Sequence, residues 1–251
     1  MRRMAFCLLI LALILLAAGC DLLLPDATIP PIGDSEFVDL EANLVAYYPF
    51  SGSADDESRW GNHGDPKGPI LVADRFGNPV SAYHFDGNDD VIVAPSGTHI
   101  EILGPITLAA WIYPEEEKSQ EIVVKGARVQ IDPGTGQLEG FHPYGLALSA
   151  TGDVIFSLSP DLQATQVRKH GYPTSTWFHV AGVYDGDSMM LYVDGELVAV
   201  EVVTGSLAGE ADPLLIGTRL SLPSSTFKGV IDEVRIYDHA LTEGEIKLLA
   251  K

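Results

Sequence analysis

The 251-residue chain carries 35 acidic against 15 basic side chains, for a net charge of −20, and 46% of it is hydrophobic. So large a negative excess repels a phosphate backbone and excludes nucleic acid as a partner. Its only cysteines are Cys7 and Cys20; removal of the first with a leader and acylation of the second would leave no disulfide, so a core must hold the fold.

Arg2 and Arg3 precede fifteen apolar residues, Met4 to Ala18, and then Gly19-Cys20. The run is shorter than the roughly 18 residues of a spanning helix, and small residues precede the cysteine, which is the pattern of a secretory signal with a lipobox. The sequence thus predicts a signal peptide over residues 1–19, acylation of Cys20 and stable tethering to the envelope membrane, outside the cytoplasm. Residues 20–42, with Pro25, Pro30, Pro31 and Gly33 and no sustained period, form a flexible tether. A single domain is expected over 43–251.

From Leu44 onward short apolar runs alternate with Gly, Asn, Asp and Pro. Strands are predicted at 44–50, 80–85, 90–94, 106–113, 121–125, 143–148, 153–158, 177–184, 188–193, 196–203, 213–217 and 227–237. Asp194-Gly195 between two β-rich runs marks a type I′ hairpin turn. Thr242 with Glu245 three residues on makes a capping box for one short helix over 241–249. Many short strands without crossover helices indicate an all-β, two-sheet antiparallel sandwich.

Leu44-Val45-Ala46-Tyr47-Tyr48-Pro49-Phe50, Tyr83-His84-Phe85-Asp86-Gly87, Leu108-Ala109-Ala110-Trp111-Ile112-Tyr113-Pro114, Trp177-Phe178-His179-Val180-Ala181, Leu191-Tyr192-Val193-Asp194-Gly195 and Gly229-Val230-Ile231-Asp232-Glu233-Val234-Arg235-Ile236-Tyr237 occur in that order. The series resembles bacterial laminin-G-like, concanavalin A-type lectin/glucanase domains across residues 44–249. The resemblance implies a jelly roll and a module that binds glycans or proteins, often with calcium. The acidic set that pentraxins place after the strand matching Leu214–Gly217 is replaced here by Thr218-Arg219-Leu220-Ser221, so a pentraxin-type double-calcium site is not expected.

Alternation along the last strand places Asp232 on the inward side with Val230, Val234 and Ile236, where a carboxylate needs a partner. A structural calcium held by Asp232 together with Asp86 and Asn88 of the Asp86–Asp90 turn is one candidate; backbone N–H groups are the alternative. Asp56 is a weaker candidate ligand, and His63 reads as a turn residue. Trp111 and Trp177, inside β-forming runs, are expected in the core. Trp60 and Tyr144 are read as loop aromatics available to a ligand, and Arg128 falls in the longest irregular stretch, Gly126 to Pro143, where recognition loops belong.

Two carboxyls facing one cleft would be needed for glycoside cleavage. Neighbours in a strand point to opposite faces, so Asp232 and Glu233 are not expected to serve. With no nucleophile elbow and no mature thiol, the expectation is a non-catalytic envelope lipoprotein that binds carbohydrate or protein. The alternatives are a protein-docking scaffold and a polysaccharide-degrading enzyme of the same fold.

Overall fold

The computed structural model describes residues 38–126, 128–131, 138–209, 211–219 and 225–251, with the backbone alone at 128–131 and 138–141. Cys20 and the signal and tether residues up to 37 lie outside the described residues, and the compact unit runs from Val38 to Lys251. In chain order the strands are β1 (Leu44–Tyr48), β2 (Asp65–Lys67), β3 (Ile70–Val72), β4 (Ala82–Asp86), β5 (Val91–Ala94), β6 (Ile106–Pro114), β7 (Gln120–Lys125), β8 (Arg128–Ile131) and β9 (Leu138–Phe141). They continue with β10 (Tyr144–Leu148), β11 (Asp153–Leu158), β12 (Thr165–His170), β13 (Phe178–Tyr184), β14 (Ser188–Val193), β15 (Glu196–Val202), β16 (Leu214–Ile216) and β17 (Lys228–Tyr237), and the chain closes with the helix α1 (Glu243–Leu249).

These strands make an eight-stranded sheet, in the order β15-β14-β13-β6-β17-β4-β3 with β1 also on β17, and a seven-stranded sheet, β12-β11-β10-β7-β16-β5-β2; β8 and β9 pair apart from both. Every pairing is antiparallel. The expected all-β jelly-roll sandwich is what the chain forms. Between the sheets lies one apolar core that includes Tyr48, Phe85, Ile112, Leu146, Phe156, Phe178, Ile216, Ile231 and Val234. Gly182 of β13 permits a close approach across it, since a Cβ there would sit 2.3 Å from the Phe156 ring.

A second, smaller cluster covers the outer face of the eight-stranded sheet, where Ile246 and Leu249 of α1 pack on Ala109, Ala181, Tyr192 and Tyr237. The helix starts as its sequence dictates, with Thr242 Oγ1 accepting from Glu245 N–H and Glu245 accepting from Thr242 N–H at 2.7 Å. Asp194 and Gly195 both take positive φ, 49° and 81°, as a type I′ turn requires.

The sequence reading left β2, β3, β8, β9 and β12 out. In β12 only Val167 is buried while Gln166, Arg168, Lys169 and His170 are exposed, so this edge strand has no apolar run to announce it. Trp111 and Trp177 are half-buried and absent from the main core, contrary to expectation. Trp111 points to the outer face of its sheet, beneath a guanidinium.

Candidate functional site

The last strand does not alternate throughout. Asp232 pairs with Trp111 and Arg235 with Ala109, so three steps along β17 match two along β6. The extra residue is a β-bulge, and Glu233 takes φ +54° in it. Ile231, Val234 and Ile236 therefore enter the core, whereas Asp232, Glu233 and Arg235 all reach the outer face. Two sequence expectations are corrected here. Asp232 does not share a side with Val234 and Ile236, and the neighbours Asp232 and Glu233 do not point to opposite faces.

The bulge assembles the polar side of a cleft of about 450 Å³. Glu233 accepts from the Tyr47 hydroxyl at 3.0 and 3.1 Å and pairs with Arg235 at 2.6 Å, while the Arg235 guanidinium lies over the Tyr47 ring at 4.1 Å. Burial pushes the Tyr47 hydroxyl well above its ordinary pKa, the Glu233 carboxylate adds to this, and Arg235 opposes both. Leu40, Leu44 and the Tyr47 ring supply the apolar lining. Glu41, Glu57, Ser58 and Arg59 supply the polar lining. Asp56 shapes this wall, because its buried carboxylate accepts from Tyr47 N–H at 2.9 Å, Ser58 N–H at 2.8 Å, Ser58 Oγ at 2.9 Å and Asn62 N–H at 2.7 Å. With its oxygens taken this way, Asp56 is a loop clamp and not a metal ligand. His63 is also a turn residue, its Nδ1 accepting from Asp56 N–H.

Beside the cleft, Trp60 is 42% exposed, but His99 stacks on its indole at 4.5 Å and the Arg59 guanidinium lies over it at 4.6 Å. Its ring faces are engaged within the protein, so the stacking role expected for Trp60 does not fit. Tyr144 does not fit a ligand role either. It is fully buried in the main core and donates to the Ile100 carbonyl at 2.6 Å. The Arg128 side chain lies outside the described residues.

A second polar constellation occupies the outer face of the seven-stranded sheet. Arg219 pairs with Glu121 at 3.4 Å and donates to His142 Nδ1 at 2.5 Å, and His142 Nε2 meets Ser157 Oγ at 2.6 Å. Burial raises the Glu121 carboxyl, against Arg219, and burial followed by Arg219 lowers His142 to about 3. Because Arg219 has no proton-acceptor atom, His142 accepts at Nδ1 and carries its proton on Nε2. The ring therefore donates to Ser157, whose hydroxyl donates onward to the Gly145 carbonyl at 3.2 Å. This is the wrong tautomer for a base that activates serine. No element of this network was foreseen as a site; Arg219 directly after a strand-ending Gly217-Thr218 was the one sequence hint.

The proposed metal set does not converge. Lys228 pairs with Asp86, which leaves Asp232 four residues further along β17, on the order of 13 Å away. Asp232 instead faces Arg75, whose Nη1 donates to its Oδ2 at 3.3 Å, and a cation there would meet the guanidinium. Burial and Glu233 push the Asp232 carboxyl up to about 7, with Arg75 opposing. Asp86, Asp89 and Asp90 do bring carboxylate oxygens within 4.8 Å of one another. Within that turn Asp86 accepts from Asn88 N–H and Nδ2, and Asp90 accepts from Asp86 N–H. Its donor chemistry suits a hard cation, although Lys118 already donates to Gly87 O at 3.0 Å.

Comparison with known proteins gives the same architecture. The family model described as "Concanavalin A-like lectin/glucanases superfamily" matches residues 86–247. Human Pappalysin-1 is 26% identical over 179 residues, which are 67% of this chain but only 11% of that much longer protein. Domain 4 of AbnA, a GH43 extracellular arabinanase from Geobacillus stearothermophilus solved with arabinotriose, superposes with a TM-score of 0.62 at 20% identity, covering 83% of this chain and 98% of that one. The binding domain of Paraclostridial Mosquitocidal Protein 1 gives 0.64 at 16% identity over 84% and 52% of the two chains. The binding domain of Botulinum Neurotoxin DC in complex with SialylT gives 0.61 at 11% identity over 84% and 51%.

Proposed function

This chain belongs to the concanavalin A-like lectin/glucanase superfamily, and we propose that it is a non-catalytic carbohydrate-binding lipoprotein, exported, acylated at Cys20 and displayed outside the cytoplasm. One observation carries the reading: the cleft holds a Tyr47 ring fixed by Glu233 and Arg235 beside Glu57 and Arg59, which form no ion pair among the described residues, Arg59 lying over the Trp60 ring. An apolar ring flanked by a carboxylate and a guanidinium whose N–H edges are not ion-paired suits a neutral sugar, which offers a CH face together with hydroxyls that both donate and accept. Three structural neighbours named as a ligand-bound arabinanase domain, a toxin binding domain and a neurotoxin binding domain with SialylT support it as analogy.

A binding role is favoured over catalysis by the state of the carboxyls and the histidine. Asp232 and Glu233 share a face, but the Asp232 side chain is 3% exposed under Arg75, out of reach of a glycosidic bond. His142 carries its proton on the side that faces Ser157. In this reading calcium belongs at the Asp86–Asp90 turn and not at Asp232. A protein-docking scaffold is the second reading, favoured by the exposed Leu197, Val200 and Val202 on the outer edge of β15.

Titration calorimetry of the detergent-solubilised protein against neutral oligosaccharides, arabinotriose among them, tests the first reading. Arg59→Ala and Glu57→Gln are each expected to weaken binding about tenfold, with an unchanged unfolding midpoint. Binding that survives both substitutions rules the cleft out.

A further inference from the structure

The loop between β3 and β4 presents a ring that the cleft does not use. Phe76 is 65% exposed at the tip of this loop. Behind it the Arg75 guanidinium lies 4.2 Å from the Phe76 ring and 4.4 Å from the Trp111 ring, and Arg75 donates to Asp232 at 3.3 Å. Asp74 closes the loop, accepting from Phe76 N–H at 2.9 Å, Asn78 N–H at 2.8 Å and Asn78 Nδ2 at 2.8 Å.

The Arg75–Asp232 pair is a poor source of stability. It is almost dry, with side chains 14% and 3% exposed, and Arg75 Nε and Asp232 Oδ1 are buried without a hydrogen-bond partner among the described residues. Desolvation of such a pair offsets most of its attraction. What the pair achieves is placement. It clamps a guanidinium between two rings, so that the Phe76 ring is backed on one face while most of it stays exposed to solvent. A phenyl ring gains nothing from being rigid in water, whereas a rigid ring lowers the ordering cost of stacking a ligand.

We propose that Phe76 is a second carbohydrate site, separate from the cleft, on which the apolar face of a neutral sugar ring stacks, with Asp232 acting through Arg75 as the positioning residue. The proposal rests on the carbohydrate reading above and extends it to a second contact point on the chain. Ring stacking is directional and tolerant of sugar identity, so Phe76 supplies affinity and the cleft supplies selectivity.

Calorimetry and saturation-transfer NMR on the full chain in detergent, with arabinotriose, cellotriose and chitotriose as probes, decide it. Phe76→Ala is expected to weaken the best probe about tenfold, Phe76→Tyr to restore it, and neither to move the unfolding midpoint. Asp232→Asn is expected to give a smaller loss of affinity and weaker transfer between the Phe76 ring and the sugar, which a merely structural role would leave intact. Phe76→Ala binding like wild type while Arg59→Ala is weakened overturns the second site and leaves the cleft standing. The reverse pattern overturns the cleft and keeps Phe76. A wild-type protein that binds none of the three probes overturns both, and a protein partner captured through Phe76 in its place overturns the sugar assignment. Asp232→Asn with wild-type affinity and wild-type transfer overturns the positioning role.

Discussion

Two buried acid–arginine pairs sit on opposite outer faces of the sandwich, and they are built for different ends. Glu121 and Arg219 are 3.4 Å apart with 11% of each side chain exposed, and Arg219 continues into His142 and Ser157, so the network ties β7, β11 and the segments flanking β10 and β16 together. Asp232 and Arg75 are 3.3 Å apart and drier still at the acid, and Arg75, like Arg219, keeps a buried Nε without a hydrogen-bond partner among the described residues, yet Arg75 leads outward to an exposed ring. A pair that continues through further buried groups rigidifies the fold, whereas one that ends under an exposed ring fixes the position of that ring. On the proposal above, one pair ties strands together and the other positions a surface ring.

Breaking the first pair gives the largest effect. Glu121→Ala leaves Arg219 buried without its counter-charge and is expected to cost about 3–5 kcal/mol in denaturant unfolding. Asp232→Ala is expected to cost less, about 2 kcal/mol, because Arg75 can turn toward water, and Glu233→Ala about 1 kcal/mol. Equal losses at 121 and 232 would erase the distinction between the pairs, and equal losses at 232 and 233 would remove the case for a buried acid at the bulge.

Acid titration sharpens the comparison. Burial holds His142 and His179 at about 3, below the ordinary histidine value of 6.5, so their contribution is present above 6.5 and lost as pH falls toward 3. Asp232, raised to about 7 from 3.8, has the opposite sign: its contribution is present below 3.8 and lost as pH rises through 7. Between pH 7 and 4 the histidines pull stability down while Asp232 opposes them. Unfolding midpoints followed over that range should fall, and more steeply in Asp232→Asn than in wild type. A shallower fall in the variant contradicts the raised carboxyl.

The smallest expected effect belongs to calcium. Adding calcium after chelation should raise the midpoint by about 2–4 °C, and Asp89→Asn should remove the shift while Asp232→Asn keeps it. A shift lost in Asp232→Asn but kept in Asp89→Asn would return the metal to the bulge.

Much of the fold is legible because burial and alternation agree strand by strand. The runs at 106–113 and 177–184 form β6 and β13, and the Thr242–Glu245 box starts α1 where its residues dictate. The strand β12 escaped because an edge strand buries one residue in six and so carries no period. The candidate site was legible in part. Asp232 was singled out correctly as a buried acid, 2% exposed, but on the wrong face and with the wrong partner. Trp60 and Tyr144 were singled out by residue type, and nothing local reveals that His99, 39 residues from Trp60, stacks on the indole, or that the Tyr144 hydroxyl is taken by Ile100.

The sequence by itself determined the class of fold, the positions of the strands with buried apolar runs, the hairpin turn and the helix cap, since each depends on neighbours within a few residues. Tertiary structure alone decided the site. One extra residue at Glu233 reverses which side chains of β17 face out, and bulges arise from the register between strands distant in sequence. Arg75 meets Asp232 across 157 residues, and Tyr47 meets Glu233 across 186. Contacts of that span exist only after the sheets have closed, so no local pattern encodes them.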